Sequence, residues 1–195
     1  MEKRDIENVA EAINTISNTY HLSYATHACE KYNQTLYKKR KEEKNKELSD
    51  KIKEALANSS HESLSKLLKE KNEISSPERI SIYIDYVANI EKGRITQHMG
   101  SKFIINMPKS LMLSVIGENG SYNVNALNQI RKMMAHELGH IALHFDKLYD
   151  TLSTNGSYDL TEEYEKEADW FAGKFLELRR NRRDKMNTDG VFGGI

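Results

Sequence analysis

The sequence predicts an α+β fold in which a small, mostly antiparallel sheet stands beside a long amphipathic helix, with additional helices ahead of it. Three observations carry this expectation. Ile80, Ile82, Ile84 and Tyr86 alternate with Ser81, Tyr83 and Asp85, the period of a half-buried strand, and Phe103-Ile104-Ile105 forms a second β-like run. On either side the apolar residues recur at helical spacing instead. The length of 195 residues suits about one domain with an excursion. Composition narrows the function classes. Lys and Arg total 29 against 29 for Asp and Glu, so no whole-protein field draws the chain to nucleic acid or an anionic membrane, and direct nucleic-acid binding is not expected. A single cysteine, Cys29, precludes an internal disulfide framework, and no apolar stretch follows Lys3 and Arg4 as in a secretory signal, so a cytoplasmic location is expected. No apolar run is long enough to cross a bilayer, so no membrane partner is expected.

In chain order, Ile6, Val9, Ala10, Ile13 and Ile16 make an amphipathic helix from Asp5, its expected cap, to Tyr20, and residues 1–37 are expected to pack on the main domain. Residues 38–75 form a charged helical excursion broken at Asn58-Ser59-Ser60. Ser59 with Glu62 fits a capping box opening a second helix with Leu64, Leu67 and Leu68. The basic run Lys38 to Lys41 is followed by Glu42, Glu43 and Glu47, whose opposite charges favour a solvated helix over a phosphate grip. The core domain is expected over 76–180, with a third strand around Arg94 to His98 and a turn at Gly117-Glu118-Asn119-Gly120. Residues 181–195 read as a basic, flexible tail, continuing Arg179, Arg180, Arg182 and Arg183.

The informative segment is a predicted helix from Asn128 to Phe145 that contains His136-Glu137-Leu138-Gly139-His140, an H-E-x-x-H pattern. His136 and His140 lie about 40° apart and one turn along, so both imidazoles reach one ion. Glu137 stands about 60° from His140, where its carboxylate can touch water without taking a coordination position, as a general base must. Met134, Leu138, Ile141 and Ala142 form the opposite, core-facing side. Gly139 costs about 1 kcal/mol of helix propensity relative to Ala, which points to close approach by another backbone. Catalytic zinc takes three protein ligands, so a third is required. A helix opening near Asp159 or Thr161 carries the stripe Tyr164, Ala168, Phe171, Ala172 and Phe175. Glu165 and Asp169 lie at one margin of it and Glu167 at the other. A carboxylate beside small Ala168 and Ala172 can lie close to the His136/His140 helix, and Asp169 can hold a ligand histidine by its free N–H.

The runs Met134-Ala135-His136-Glu137-Leu138-Gly139-His140-Ile141-Ala142-Leu143-His144 and Glu165-Lys166-Glu167-Ala168-Asp169-Trp170-Phe171-Ala172 resemble the two motifs of the ImmA/IrrE family of zinc metallopeptidases. The resemblance covers roughly Ile80 to Leu176 and implies a zincin-like, gluzincin-type fold. It implies zinc on His136, His140 and Glu165, with Glu137 as the catalytic base and Asp169 at the motif's Asn/Asp position. It further implies a regulatory metalloendopeptidase acting on a protein substrate, a helix-turn-helix transcriptional repressor in a bacterial or mobile-element setting. The alternative is a zinc-stabilised protein that sequesters such a regulator without cutting it. The chain departs from the family at Phe175-Leu176-Glu177-Leu178, where a Met-Pro pair is usual.

Other candidates are secondary. His144 does not fit the three-histidine extension of the motif and is expected to pack or to support a ligand. His27 and Cys29 could form an inhibitory arm, although a lone apolar-flanked cysteine reads as core. Tyr149, Tyr158, Tyr164 and His98 are unranked candidates for the oxyanion donor. The run from Lys102 to Asn106 offers either a sheet edge for an extended substrate or an interior strand, with its three consecutive apolar residues favouring the interior.

Overall fold

The computed structural model describes residues 1–19, 21–58, 61–73, 79–98, 102–116, 120–148 and 161–191. The chain divides into two compact units, Met1–Tyr32 with Ile80–Ile195, and Asn33–Arg79. No helix among the described residues is long and apolar enough to cross a membrane.

The second unit is built from the greater part of α2 (Ala25–Ala57) and from α3 (His61–Glu73). It is a charged helical pair. Leu48 is its best buried apolar side chain, and the surface carries exposed ion pairs such as Lys51–Glu47 and Lys44–Glu70. Such solvent-screened pairs contribute little each. The Ser59–Glu62 capping box falls outside the residues whose side chains are described.

The first unit opens with α1 (Lys3–Ser17), which buries Ile6, Ala10 and Ile13 against the long C-terminal helix α6 (Glu162–Val191). Asp5 is not its cap. The helix begins two residues earlier and Asp5 sits in the first turn, where its charge still favours the helix dipole. At the other end Asn18 adopts a left-handed conformation at φ 47°, stopping the helix. Arg179 and Arg182 of α6 reach over to this end and donate to the carbonyl oxygens of Thr19 and Asn14 respectively, so these two anchor α1 while Arg180 and Arg183 face water. The residues of the expected tail are helical in α6 as far as Val191.

Three strands form one small sheet, β1 (Ser81–Val87), β2 (Arg94–His98) and β3 (Lys102–Pro108), in the order β1-β3-β2. The architecture is therefore α+β, helix-rich with a small sheet, consistent with a zincin-like fold. The sheet is mixed. β2 and β3 pair antiparallel, Ile95 opposite Ile105, whereas β1 runs parallel to β3 with Ile84 opposite Ile105. Residues 88–101 between β1 and β3 contain β2, so the chain can reverse twice and return in its first direction. β3 is consequently interior, and Phe103, Ile105 and Met107 are fully buried. The alternative of a substrate-pairing edge at Lys102 to Asn106 is overturned, because both sides of β3 are already taken.

After β3, the short α4 (Lys109–Leu113) leads toward α5 (Val124–Leu143). α5 starts four residues before Asn128 because the Asn123 side chain accepts a hydrogen bond from the Ala126 N–H at 3.1 Å. It ends two residues early, with His144 at the C-cap and a further helical turn over 145–148. Phe145 meets Phe103 of the sheet edge-to-face at 5.0 Å between ring centroids, joining helix to strand.

Since the Ile105 N–H serves an interior ladder, Ile105→Pro should abolish cooperative unfolding, reflecting a loss of about 3 kcal/mol or more. Thermal denaturation followed by circular dichroism tests this. A stable, cooperatively melting variant would contradict the interior position.

Candidate metal centre

α5 packs more extensively on α6 than on any other element, and at Gly139 the two backbones come close. A Cβ built there would lie 3.2 Å from both Cα and the carbonyl oxygen of Ala168 and 3.0 Å from the Phe171 ring. Small residues on both helices let the backbones approach. The helical register then does the rest: Glu165 lies one turn before Ala168 and Asp169 follows it, so both acidic residues emerge beside His136 and His140.

Around this contact three potential ligand groups, His136, His140 and Glu165, have one donor atom each within 4.8 Å of one another. His136 Nε2 lies 3.0 Å from His140 Nε2 and 3.2 Å from Glu165 Oε2, while Glu165 Oε1 is 3.6 Å from His140 Nε2. Two imidazole nitrogens and a carboxylate oxygen converging on one point suit a divalent transition metal. His140 is 1 % exposed, and burial, followed by neighbouring His136 and His144, lowers its pKa to about 3. It is therefore neutral at ordinary pH and keeps a lone pair for a metal. His136 Nδ1 meets Asp169 Oδ1 at 2.9 Å, which turns the opposite nitrogen toward the cluster.

Residues 121–176 match the family model of the IrrE N-terminal-like domain, peptidase family M78, a span that holds all of α5 and the first half of α6. The match supports ImmA/IrrE family membership. No curated protein and no solved structure gives a significant match. Peptidase family M78 suggests a metallopeptidase and is metal-dependent, in keeping with the His/His/Glu group.

A further acidic residue of α5 interacts with this cluster. Glu137, 6 % exposed, interacts electrostatically with His136 and Glu165. Burial lifts its carboxyl from 4.5 to about 7, with Glu165 adding to the rise and His136 opposing it. The space for that carboxylate comes from Gly93, immediately before β2. A Cβ at Gly93 would stand 2.6 Å from Glu137 Oε1 and 2.9 Å from Met133 Cγ. Sequence reasoning did not single out Gly93, because Lys92-Gly93-Arg94 carries no motif and its partner lies 44 positions downstream.

The remaining candidates separate. His144 and Glu167 are both buried and bonded to each other at 2.7 Å, apart from the three-residue cluster. Glu167 stays below the ordinary carboxylate range: burial alone would raise it, but hydrogen bonds from the Met1 amino group and from His144 outweigh burial. Cys29 is in the core with its Sγ 3.9 Å from the Leu138 carbonyl oxygen, and His27 is exposed and paired with Glu30, so neither forms an arm over the cluster. Tyr164 lays its ring against His144 at 4.5 Å. Tyr149, Tyr158 and the His98 side chain lie outside the described residues.

Two outcomes follow for Glu137. In Gly93→Ala the new methyl should displace the flexible Glu137 and Met133 ends while the fold holds. A crystal structure should show the carboxylate moved with His136, His140 and Glu165 in place, and an unmoved carboxylate would refute the contact. The second outcome concerns pH. With its folded pKa above the unfolded one, Glu137 keeps a proton that the unfolded chain loses between about pH 4.5 and 7. Its contribution to stability is present in full below that window and disappears as pH rises through it. The stability advantage of metal-free wild type over Glu137→Gln should therefore shrink by about 3 kcal/mol from pH 4.5 to 7 in denaturant titrations. A pH-independent difference would show that the carboxyl is not lifted.

Proposed function

We propose that the protein is a zinc-dependent metalloendopeptidase whose substrate is a helix-turn-helix transcriptional repressor in a bacterial or mobile-element setting. The observation that supports the catalytic reading is the convergence of three ligand groups beside a buried carboxylate that is not one of them. The repressor as substrate is what the resemblance of the two motifs to the ImmA/IrrE family implies.

Two imidazoles and one carboxylate are a donor set of catalytic zinc, and His136, His140 and Glu165 would hold the ion. When bound, zinc supplies Lewis acidity, polarising a carbonyl oxygen and acidifying water. Glu137 accepts a proton from water on its carboxylate and delivers it to the departing amine, a task suited to a group that titrates near pH 7. Asp169 holds His136 by Nδ1 and fixes its ring. β2 lies at an edge of the sheet and begins beside Glu137. An extended peptide pairing along that edge would carry its backbone past the base, with affinity drawn from main-chain hydrogen bonds.

The test uses zinc-loaded wild type and Glu137→Gln, each incubated with the neighbouring gene's repressor and read by mass spectrometry, with elemental analysis in parallel. Wild type should cleave and carry about one zinc per chain. Glu137→Gln should keep its zinc and lose about 100-fold or more in rate. Cleavage retained in that variant would overturn the mechanism, and tight binding without cleavage by wild type would favour sequestration.

A further inference from the structure

His144 and Glu167 take no part in the proposed reaction, yet both are buried, at 6 % and 4 % exposure, directly behind a candidate ligand. His140 Nδ1 lies 3.3 Å from His144 Nδ1, and His144 Nε2 lies 2.7 Å from Glu167 Oε2. Two like ring nitrogens can bond only if one carries the hydrogen and the other the lone pair. At the far end, a carboxylate only accepts.

These two facts leave one arrangement of protons for neutral rings. Glu167 Oε2 accepts from His144 Nε2–H, which leaves His144 Nδ1 as an acceptor. His140 must then donate from Nδ1–H, which leaves its Nε2 lone pair facing His136 and Glu165. The reverse arrangement would set the His144 Nε2 lone pair against the Glu167 carboxylate and place a hydrogen on His140 Nε2, where the ion would bind. We propose that the buried Glu167–His144 pair is a positioning device that selects the metal-ready tautomer of His140 before any metal arrives.

The device parallels the one at His136, where Asp169 acts directly. Around His140 the carboxylate is one imidazole further away, and orientation passes through His144. Supporting groups of this kind typically change metal affinity by about 10- to 100-fold. The proposal rests on the metal reading of His136, His140 and Glu165, and its test has a readout that needs no metal.

Long-range nitrogen–proton NMR correlations on the metal-free protein report which ring nitrogen carries the hydrogen. Wild type should show His140 as the Nδ1–H form and His144 as the Nε2–H form. Glu167→Gln is nearly isosteric but supplies an amide that can also donate to His144 Nε2, so it should populate the reversed forms and bind zinc about 10-fold more weakly. His144→Phe keeps a ring in the cavity and removes the acceptor, and should weaken zinc at least as much while the metal-free protein stays folded. Zinc uptake by a wild-type protein whose His140 carries its hydrogen on Nε2 would overturn the relay alone. So would unchanged tautomers and unchanged affinity in Glu167→Gln. A wild type that takes up no zinc would overturn the metal reading itself, and with it the purpose of the relay.

Discussion

The close approach of α5 and α6 at Gly139 and Ala168 is the constraint on which the site depends. The ligand groups come from both helices, and their donor atoms converge only if the axes are near enough for short acidic side chains to span the gap. A methyl group at Gly139 would press on the backbone of Ala168, which cannot swing away as a side-chain end can. The glycine costs helix propensity and is retained where the partner backbone passes. Buried Phe171 and Phe175, stacked on each other at 5.4 Å, fill the apolar face of α6 beside this contact. α1 and the Arg179 and Arg182 contacts brace the same helix further along.

Given that spacing, three acidic residues of one helix segment acquire three different surroundings. Glu165 faces both imidazoles, Asp169 stands behind His136, and Glu167 lies buried behind His144. A helix rotates by about 100° per residue, so Glu165 and Asp169 share a side while Glu167 is turned about 200° from Glu165. Proximity in sequence therefore says little about shared environment. In the proposed site the same local chemistry would serve as ligand group, as direct orienting partner and as the remote end of a relay.

Much of this was legible in the sequence where one helix's own periodicity decided the matter. The i, i+4 histidines, the separation of Glu165 from Glu167 and the close contact implied by Gly139 all follow from rotation per residue, and the alternation after Ile80 located β1. What stayed hidden was set by partners distant in the chain. Nothing local distinguishes β3 as interior and parallel to β1, since that depends on β2 filling its other side. The start of α5 was by contrast legible and was set too late, since apolar Val124, Ala126 and Leu127 follow the Asn123 cap directly. Gly93 matters only because Glu137 folds over it, and the His144–Glu167 bond joins residues 23 positions apart on different helices.

In the proposed reaction the arrangement would also resolve a conflict between binding and basicity. A base must be desolvated for its carboxyl to titrate near neutrality, whereas a site acting on a macromolecule must be open. The two demands fall to two different helices. Glu137 turns inward over Gly93 and loses water, while Glu165 across the cluster remains about half exposed. Were the base on the open side with Glu165, solvation would return it toward an ordinary carboxylate and weaken it as a proton acceptor. Were the ligand groups all as buried as His140, no polypeptide could reach them. The edge strand β2 would supply the link, because the glycine that makes room for Glu137 immediately precedes it.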